Sequence, residues 1–191
     1  MSARPRIGII VGSTRPVRVG RPVADELVGM VETAGATPVL LDLAEIRLPL
    51  LDEPAHPATG IRSHAHSIAW AEQVAALDGV LFLTPEYNAG YPAALKNAID
   101  YLKAEWASMP AAIISYGSRG GPSAAAQLAA VLERVGIALQ GDGVQMPFER
   151  SDFDESMRML DAPAFVARSR AALQATIEQV VAAAADELVS V

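Results

Sequence analysis

The sequence predicts an α/β fold: an open, doubly wound sheet of five parallel strands with helices on both faces. Three observations predict it. Five short apolar runs alternate along the chain with segments whose apolar residues recur at helical spacing. The runs are nearly continuous in apolar residues, as strands buried on both faces are, rather than alternating as half-exposed strands do. Helical segments lie between successive runs, which is the connection parallel neighbours need, and right-handed crossovers then favour an open sheet. At 191 residues, 51% hydrophobic and 19% charged, the chain can bury a substantial core. No repeat or linker divides it, so a single domain over residues 1–191 is expected.

The first strand is residues 7–11, which lead into the turn-rich GSTRPVRVGRP. Val23, Leu27, Met30 and Val31 give a helix over 21–34, with Gly35 as its stop. Residues 38–43 read as the second strand and 45–60 as a loop rich in proline and acid. Ser63 can cap a helix carrying Ile68, Ala71, Val74 and Leu77. Residues 80–83 are the third strand. After TPEYNAGYP, the spacing of Tyr91, Leu95, Ile99, Leu102 and Trp106 predicts one continuous helix. Residues 111–115 are the fourth strand, followed by YGSRGGPS and a helix over 123–135. The fifth strand lies within 137–146, its bounds blurred by Gly141 and Gly143, and a last helix spans 162–188.

Composition removes several function classes. There is no cysteine, hence no disulfide, redox dithiol, thiolate metal site or cysteine nucleophile, and redox chemistry would need a bound cofactor. A formal net charge of −7 argues against nucleic acid as a partner, since that needs a basic face. No apolar run approaches the roughly 20 residues that span a bilayer, and residues 7–11 are too short for a signal sequence, so a cytoplasmic protein is expected. His56, His64 and His66 are close in sequence, but two residues apart on a helix point different ways, and no metal site is expected.

In a doubly wound sheet, ligands bind beyond the carboxyl ends of the strands, at the switch point in strand order. With the order 2-1-3-4-5, the loops after strands one, three and four meet there. The first, GSTRPVRVG, joins a strand to a helix N-terminus, where free N–H groups and the helix dipole favour an anion. Ser13 and Thr14 add hydroxyls, and Arg15 and Arg18 add charge. Neither GxGxxG nor GxxxxGK[ST] is present, which leaves a phosphate monoester as the expected anion. In TPEYNAGYP, Pro85 and Pro92 stiffen a turn that can present backbone groups to the edge of a planar heterocycle, with Tyr87 as a flat wall and Asn88 as a paired donor and acceptor. The glycines of YGSRGG allow close backbone approach to a ligand.

GSTRPVRVG, PEYNAGYPAALKNAIDYL and SYGSRGG, in that order and spacing, resemble the NAD(P)H-dependent FMN reductase family. These are flavodoxin-like flavoproteins that include quinone, azo-dye and chromate reductases. The resemblance covers residues 6–146 and is most specific in PEYN and the LKNAIDYL that follows. It implies that Ser13, Arg15, Arg18, Val19 and Gly20 surround an FMN phosphate. It implies that Pro85, Glu86, Tyr87 and Asn88 border the flavin ring, with Tyr116, Gly117 and Ser118 along its other edge. It further implies that NADH or NADPH reduces the flavin and that a small acceptor then takes the electrons from the same face: a quinone, azo compound, metal oxyanion or free flavin. No side-chain nucleophile or base is required, because the cofactor carries the chemistry. A flavodoxin-type electron carrier or a flavin-binding regulator is the alternative. The resemblance also implies a homodimer or homotetramer, for which Ala94 and Tyr101, off the core side of their helix, suggest a second apolar strip.

Overall fold

A computed structural model describes residues 4–189. The sheet runs β2-β1-β3-β4-β5, with β1 at Arg6–Val11, β2 at Thr37–Asp42, β3 at Gly79–Pro85, β4 at Pro110–Gly117 and β5 at Ala138–Leu139. All these pairings are parallel, as the near-continuous apolar runs predict. β3 is buried along its whole length and β4 over all but its last residue, whereas the edge strand β2 is only partly covered. Helices α1 (Gly20–Thr33), α6 (Ala162–Ala167) and α7 (Arg170–Val189) pack Val23, Leu27, Phe165 and Leu173 on one face. On the other, α3 (Ala65–Ala75), α4 (Ala93–Asp100) and α5 (Pro122–Val135) pack Trp70, Val74, Leu95, Ile99 and Leu128. Each such side chain, fully withdrawn from water, stabilises the fold by roughly 1.5–3 kcal/mol. No helix among the described residues is long and apolar enough to cross a membrane.

Several elements depart from the sequence expectations. The fifth strand is two pieces, because β6 (Val144–Pro147) also pairs with β4, beyond β5 along the same edge. The break is at Gly141 and Gly143, both at positive φ, and a Cβ on Gly143 would stand 2.4 Å from the Ile113 carbonyl oxygen. The chain therefore crosses the strand edge at a distance only glycine allows. Ser63 does not cap α3. His64 is its N-cap residue, and the Ser63 and His64 N–H groups donate to Glu53 instead. A short helix, α2 (Leu43–Ile46), begins where the second strand was expected to end, capped by Asp42.

The helix expected to run from Tyr91 to Trp106 ends at Asp100, and a 3-10 turn carries Trp106. Two indoles account for the stop. Trp70 Nε1 donates to the Ala98 carbonyl at 2.9 Å and Trp106 Nε1 to the Ile99 carbonyl at 3.0 Å, which satisfies carbonyls in the final turn of α4. Tyr101 is buried beneath the chain's own residues 49–52, with its hydroxyl 3.0 Å from Asp52, so it forms no strip open to a partner. The last helix is likewise two, broken at Arg168 and Ser169. There the Arg168 guanidinium grips Asp152 through two contacts of 2.7 Å and lies 5.0 Å over the Phe165 ring.

Candidate functional site

The first loop, residues 12–19, leaves β1 at the carboxyl edge. The Gly12 N–H donates to the Leu83 carbonyl at 2.9 Å, fastening the loop to β3. Ser13 is only 2% exposed, and its hydroxyl lies 2.6 Å from that of Tyr87. Thr14 and Arg15 are exposed, with no side-chain partner among the described residues. Val19 is the N-cap residue of α1 without a side-chain cap, and no acid stands in the first turn. The leading N–H groups and the helix dipole therefore present positive charge to whatever lies in the loop.

Tyr116, at the end of β4, completes this cluster. It is 3% exposed, and its hydroxyl is buried within reach of the Ser13 hydroxyl and the Gly20 N–H but makes no hydrogen bond of full geometry to either. A Cβ on Gly20 would stand 2.7 Å from that hydroxyl oxygen, so glycine is what lets the helix start this close. Burial pushes the Tyr116 phenol well above its ordinary value, with the neighbouring Tyr87 adding to the effect. That shift favours the neutral phenol, which can donate.

Arg18 turns back to the sheet and pairs with Asp42, the buried last residue of β2. Its Nε is buried without a partner. Asp42 also accepts from Arg21 at 3.3 Å and from the Ala44 N–H at 3.0 Å. Sequence reasoning missed Asp42. The available signal was a single acid closing an otherwise apolar strand at the carboxyl edge.

The loop after β3 is a tight turn. Tyr87 and Gly90 exchange both backbone hydrogen bonds, at 2.8 and 3.0 Å, and Asn88 and Ala89 between them have φ of +50° and +63°. Two consecutive left-handed residues define a type I′ turn. Asn88 is exposed, and its amide has no hydrogen bond among the described residues. Its place follows from asparagine's tolerance of left-handed φ. Glu86 faces away from the first loop. One of its oxygens accepts from the Ser123 and Ala124 N–H groups at 2.8 and 3.1 Å, capping α5 across 37 residues of chain. Pro85 ends the buried β3.

In the third loop the Glu86 N–H donates to the Tyr116 carbonyl at 3.2 Å, and the Ser115 hydroxyl donates to the Gly120 carbonyl at 2.7 Å. Gly117 is half-buried; Ser118 and Arg119 are exposed. The structure thus brings Ser13, Gly20, Tyr87 and Tyr116 together at the start of α1. It diverts Arg18 to Asp42 and Glu86 to α5, and leaves Arg15, Asn88 and Ser118 at the rim. The buried Tyr116 hydroxyl, the uncapped helix and the absence of acid in its first turn fit a phosphate monoester.

No group of three or more His, Asp or Glu among the described residues can hold a metal ion. His66 Nε2 lies 2.9 Å from Asp52, His64 stacks on His66 at 5.2 Å, and His56 caps a 3-10 turn.

Comparison with known proteins gives the family of the chain. The chain is 41% identical over 128 residues to an NAD(P)H-dependent FMN reductase of Schizosaccharomyces pombe, a match spanning 65% of this chain and 64% of the relative. It is 38% identical over 155 residues to one of Saccharomyces cerevisiae, spanning 74% of this chain and 81% of the relative. The fold matches the flavoenzyme NAD(P)H:(acceptor) oxidoreductase FerB of Paracoccus denitrificans with a TM-score of 0.72 at 22% identity, covering 94% and 97% of the two chains. The family profile described as NADPH-dependent FMN reductase matches residues 5–149, the whole sheet and all three loops, and the chain belongs to that family.

Proposed function

We propose that the protein is an FMN-dependent oxidoreductase that takes electrons from NADPH or NADH and delivers them to a small acceptor such as a quinone, an azo compound, a metal oxyanion or free flavin. The single observation that carries this reading is the buried, unpartnered Tyr116 hydroxyl aimed at the uncapped start of α1. Ser13, Arg15, Val19 and Gly20 would hold the cofactor phosphate, Arg18 would add charge beside them while paired with Asp42, and Tyr116 would donate to it. Tyr87 bridges to Ser13 and braces the first loop against the third strand's exit. Pro85, Glu86, Tyr87 and Asn88 would border the ring, and Gly117 and Ser118 would line its other edge. The rigid type I′ turn fixes that border, and Glu86 holds it to α5. When bound, FMN supplies the hydride acceptance and electron donation. The chain would position it and supply donors to it, and its chemistry would serve nicotinamide and acceptor in turn.

A cytoplasmic location and a homo-oligomeric state belong to the same reading. Support for the second is the exposure of Leu50 (82%) and Ile61 (63%) between α2 and α3. Light scattering near 20.1 kDa, the mass of one chain, would exclude it. The function is tested by reconstituting the flavin-free protein with FMN or riboflavin and assaying quinone-dependent NADPH oxidation. FMN restores activity and riboflavin, lacking the phosphate, restores far less. Equal restoration would remove the first loop from the site.

A further inference from the structure

A pocket of mixed polar and apolar lining adjoins the first loop. It is about 260 Å³ and lies between Thr14, Leu43 of α2, Arg47 and Leu48 beyond it, and Ala94 and Asn97 of α4. Ala94 places it against the first turn of α4, the helix that follows the TPEYNAGYP turn. Arg47, an exposed residue, lines it. It ends α2 in the left-handed conformation, φ 55° and ψ 46°, and its Nε donates to the Ala44 carbonyl at 3.4 Å. Its terminal nitrogens have no ion-pair partner among the described residues. The rim is fixed, because Asn97 donates to the Pro49 carbonyl at 2.7 Å and accepts from the Leu51 N–H at 2.9 Å.

We propose that this pocket takes the 2′-phosphoadenosine end of NADPH, with Arg47 selecting the 2′-phosphate. The inference rests on the oxidoreductase reading above and names the donor that reading leaves open. A volume just under the range for drug-sized ligands suits one nucleoside end, not a whole dinucleotide. Leu43, Leu48 and Ala94 give an apolar floor for a flat base. A guanidinium supplies paired donors to phosphate and a planar face for stacking. The Thr14 hydroxyl, free of hydrogen bonds among the described residues, adds a donor. Arg158, also at this edge, lines a separate groove across the first loop with Val17 and Pro22, on the α1 side.

The test titrates FMN-loaded protein with adenosine 2′,5′-bisphosphate and adenosine 5′-monophosphate by calorimetry. Arg47→Gly is the decisive variant, because glycine suits the left-handed position and the fold is retained. Wild type binds the bisphosphate about tenfold or more tightly than the monophosphate, the scale of one charge-assisted contact. Arg47→Gly abolishes that preference and raises the ratio of KM for NADPH to KM for NADH by a similar factor, while Arg158→Ala leaves the ratio in place. Equal binding of the two nucleotides by wild type overturns the proposal. So does a preference that survives Arg47→Gly, or an Arg47→Gly effect on acceptor KM alone. Protein that never binds FMN overturns both this proposal and the reading beneath it; protein reduced by NADPH with no role for Arg47 overturns this proposal only.

Discussion

Removing the Tyr116 hydroxyl is expected to move the free and FMN-bound proteins in opposite directions. The hydroxyl is buried and unpartnered, and such a group costs about 1–3 kcal/mol. Tyr116→Phe removes that cost and leaves the ring packed against Phe148, 5.7 Å away between centroids. The flavin-free variant then gains about 1 kcal/mol, a rise of roughly 2–4 °C in melting temperature for a chain of this size. In the bound state the same hydroxyl donates to a charged phosphate, and its loss destabilises that state by about 1 kcal/mol or more. Around the thermodynamic cycle the two changes add, so FMN binds about 2 kcal/mol, or roughly thirtyfold, more weakly. Thermal melting with and without FMN, together with a fluorescence titration, measures all three quantities. If the flavin-free variant melts below wild type and FMN affinity is unchanged, Tyr116 is a packing residue and the phosphate site has been misassigned.

Four further outcomes follow from the same geometry. Arg15→Ala is expected to weaken FMN binding by about 1–3 kcal/mol without changing stability in urea, because its guanidinium is exposed and unpaired; fluorescence titration of the flavin-free protein measures it. Glu86→Ala strips both N–H contacts from the start of α5 and costs about 1–2 kcal/mol in urea denaturation, while Glu86→Gln, keeping one oxygen, costs less. Ala89→Gly relieves a left-handed alanine worth about 1–2 kcal/mol but adds glycine's unfolded-state freedom, for a net stabilisation of about 0.5–1 kcal/mol in thermal melts. The Arg168 guanidinium holds the Asp152 carboxyl below its ordinary 3.8. Stability from that pair is therefore complete above that value and lost as pH falls below it, and Asp152→Asn flattens the acid limb of a denaturation series.

The strands were legible because burial on both faces leaves continuous apolar runs, and β1, β3 and β4 fall where those runs are. The convergence of three loops was legible because chain order sets the switch point. What sequence alone could not reach were contacts between distant residues. Trp70 ends α4 from 28 positions away, Glu86 caps α5, and Asp42 takes the Arg18 charge that seemed free in the first loop. Apolar periodicity continues through Leu102 and Trp106 although the helix does not, since a 3-10 turn can bury the same side chains. The left-handed backbone of Asn88 is a second demand on that position that the amide alone does not reveal. The hydroxyls of Tyr87 and Tyr116, which sequence places only at the ring border, also reach toward the first loop.

The most direct test of the central claim is anaerobic stopped-flow reduction of the purified, FMN-loaded protein by NADPH, followed in the visible flavin band. The account predicts rapid bleaching that depends on NADPH concentration, with the colour returning when a quinone is added. A flavin band that persists, or bleaches only on the slow timescale of a carrier awaiting another reductase, would contradict it.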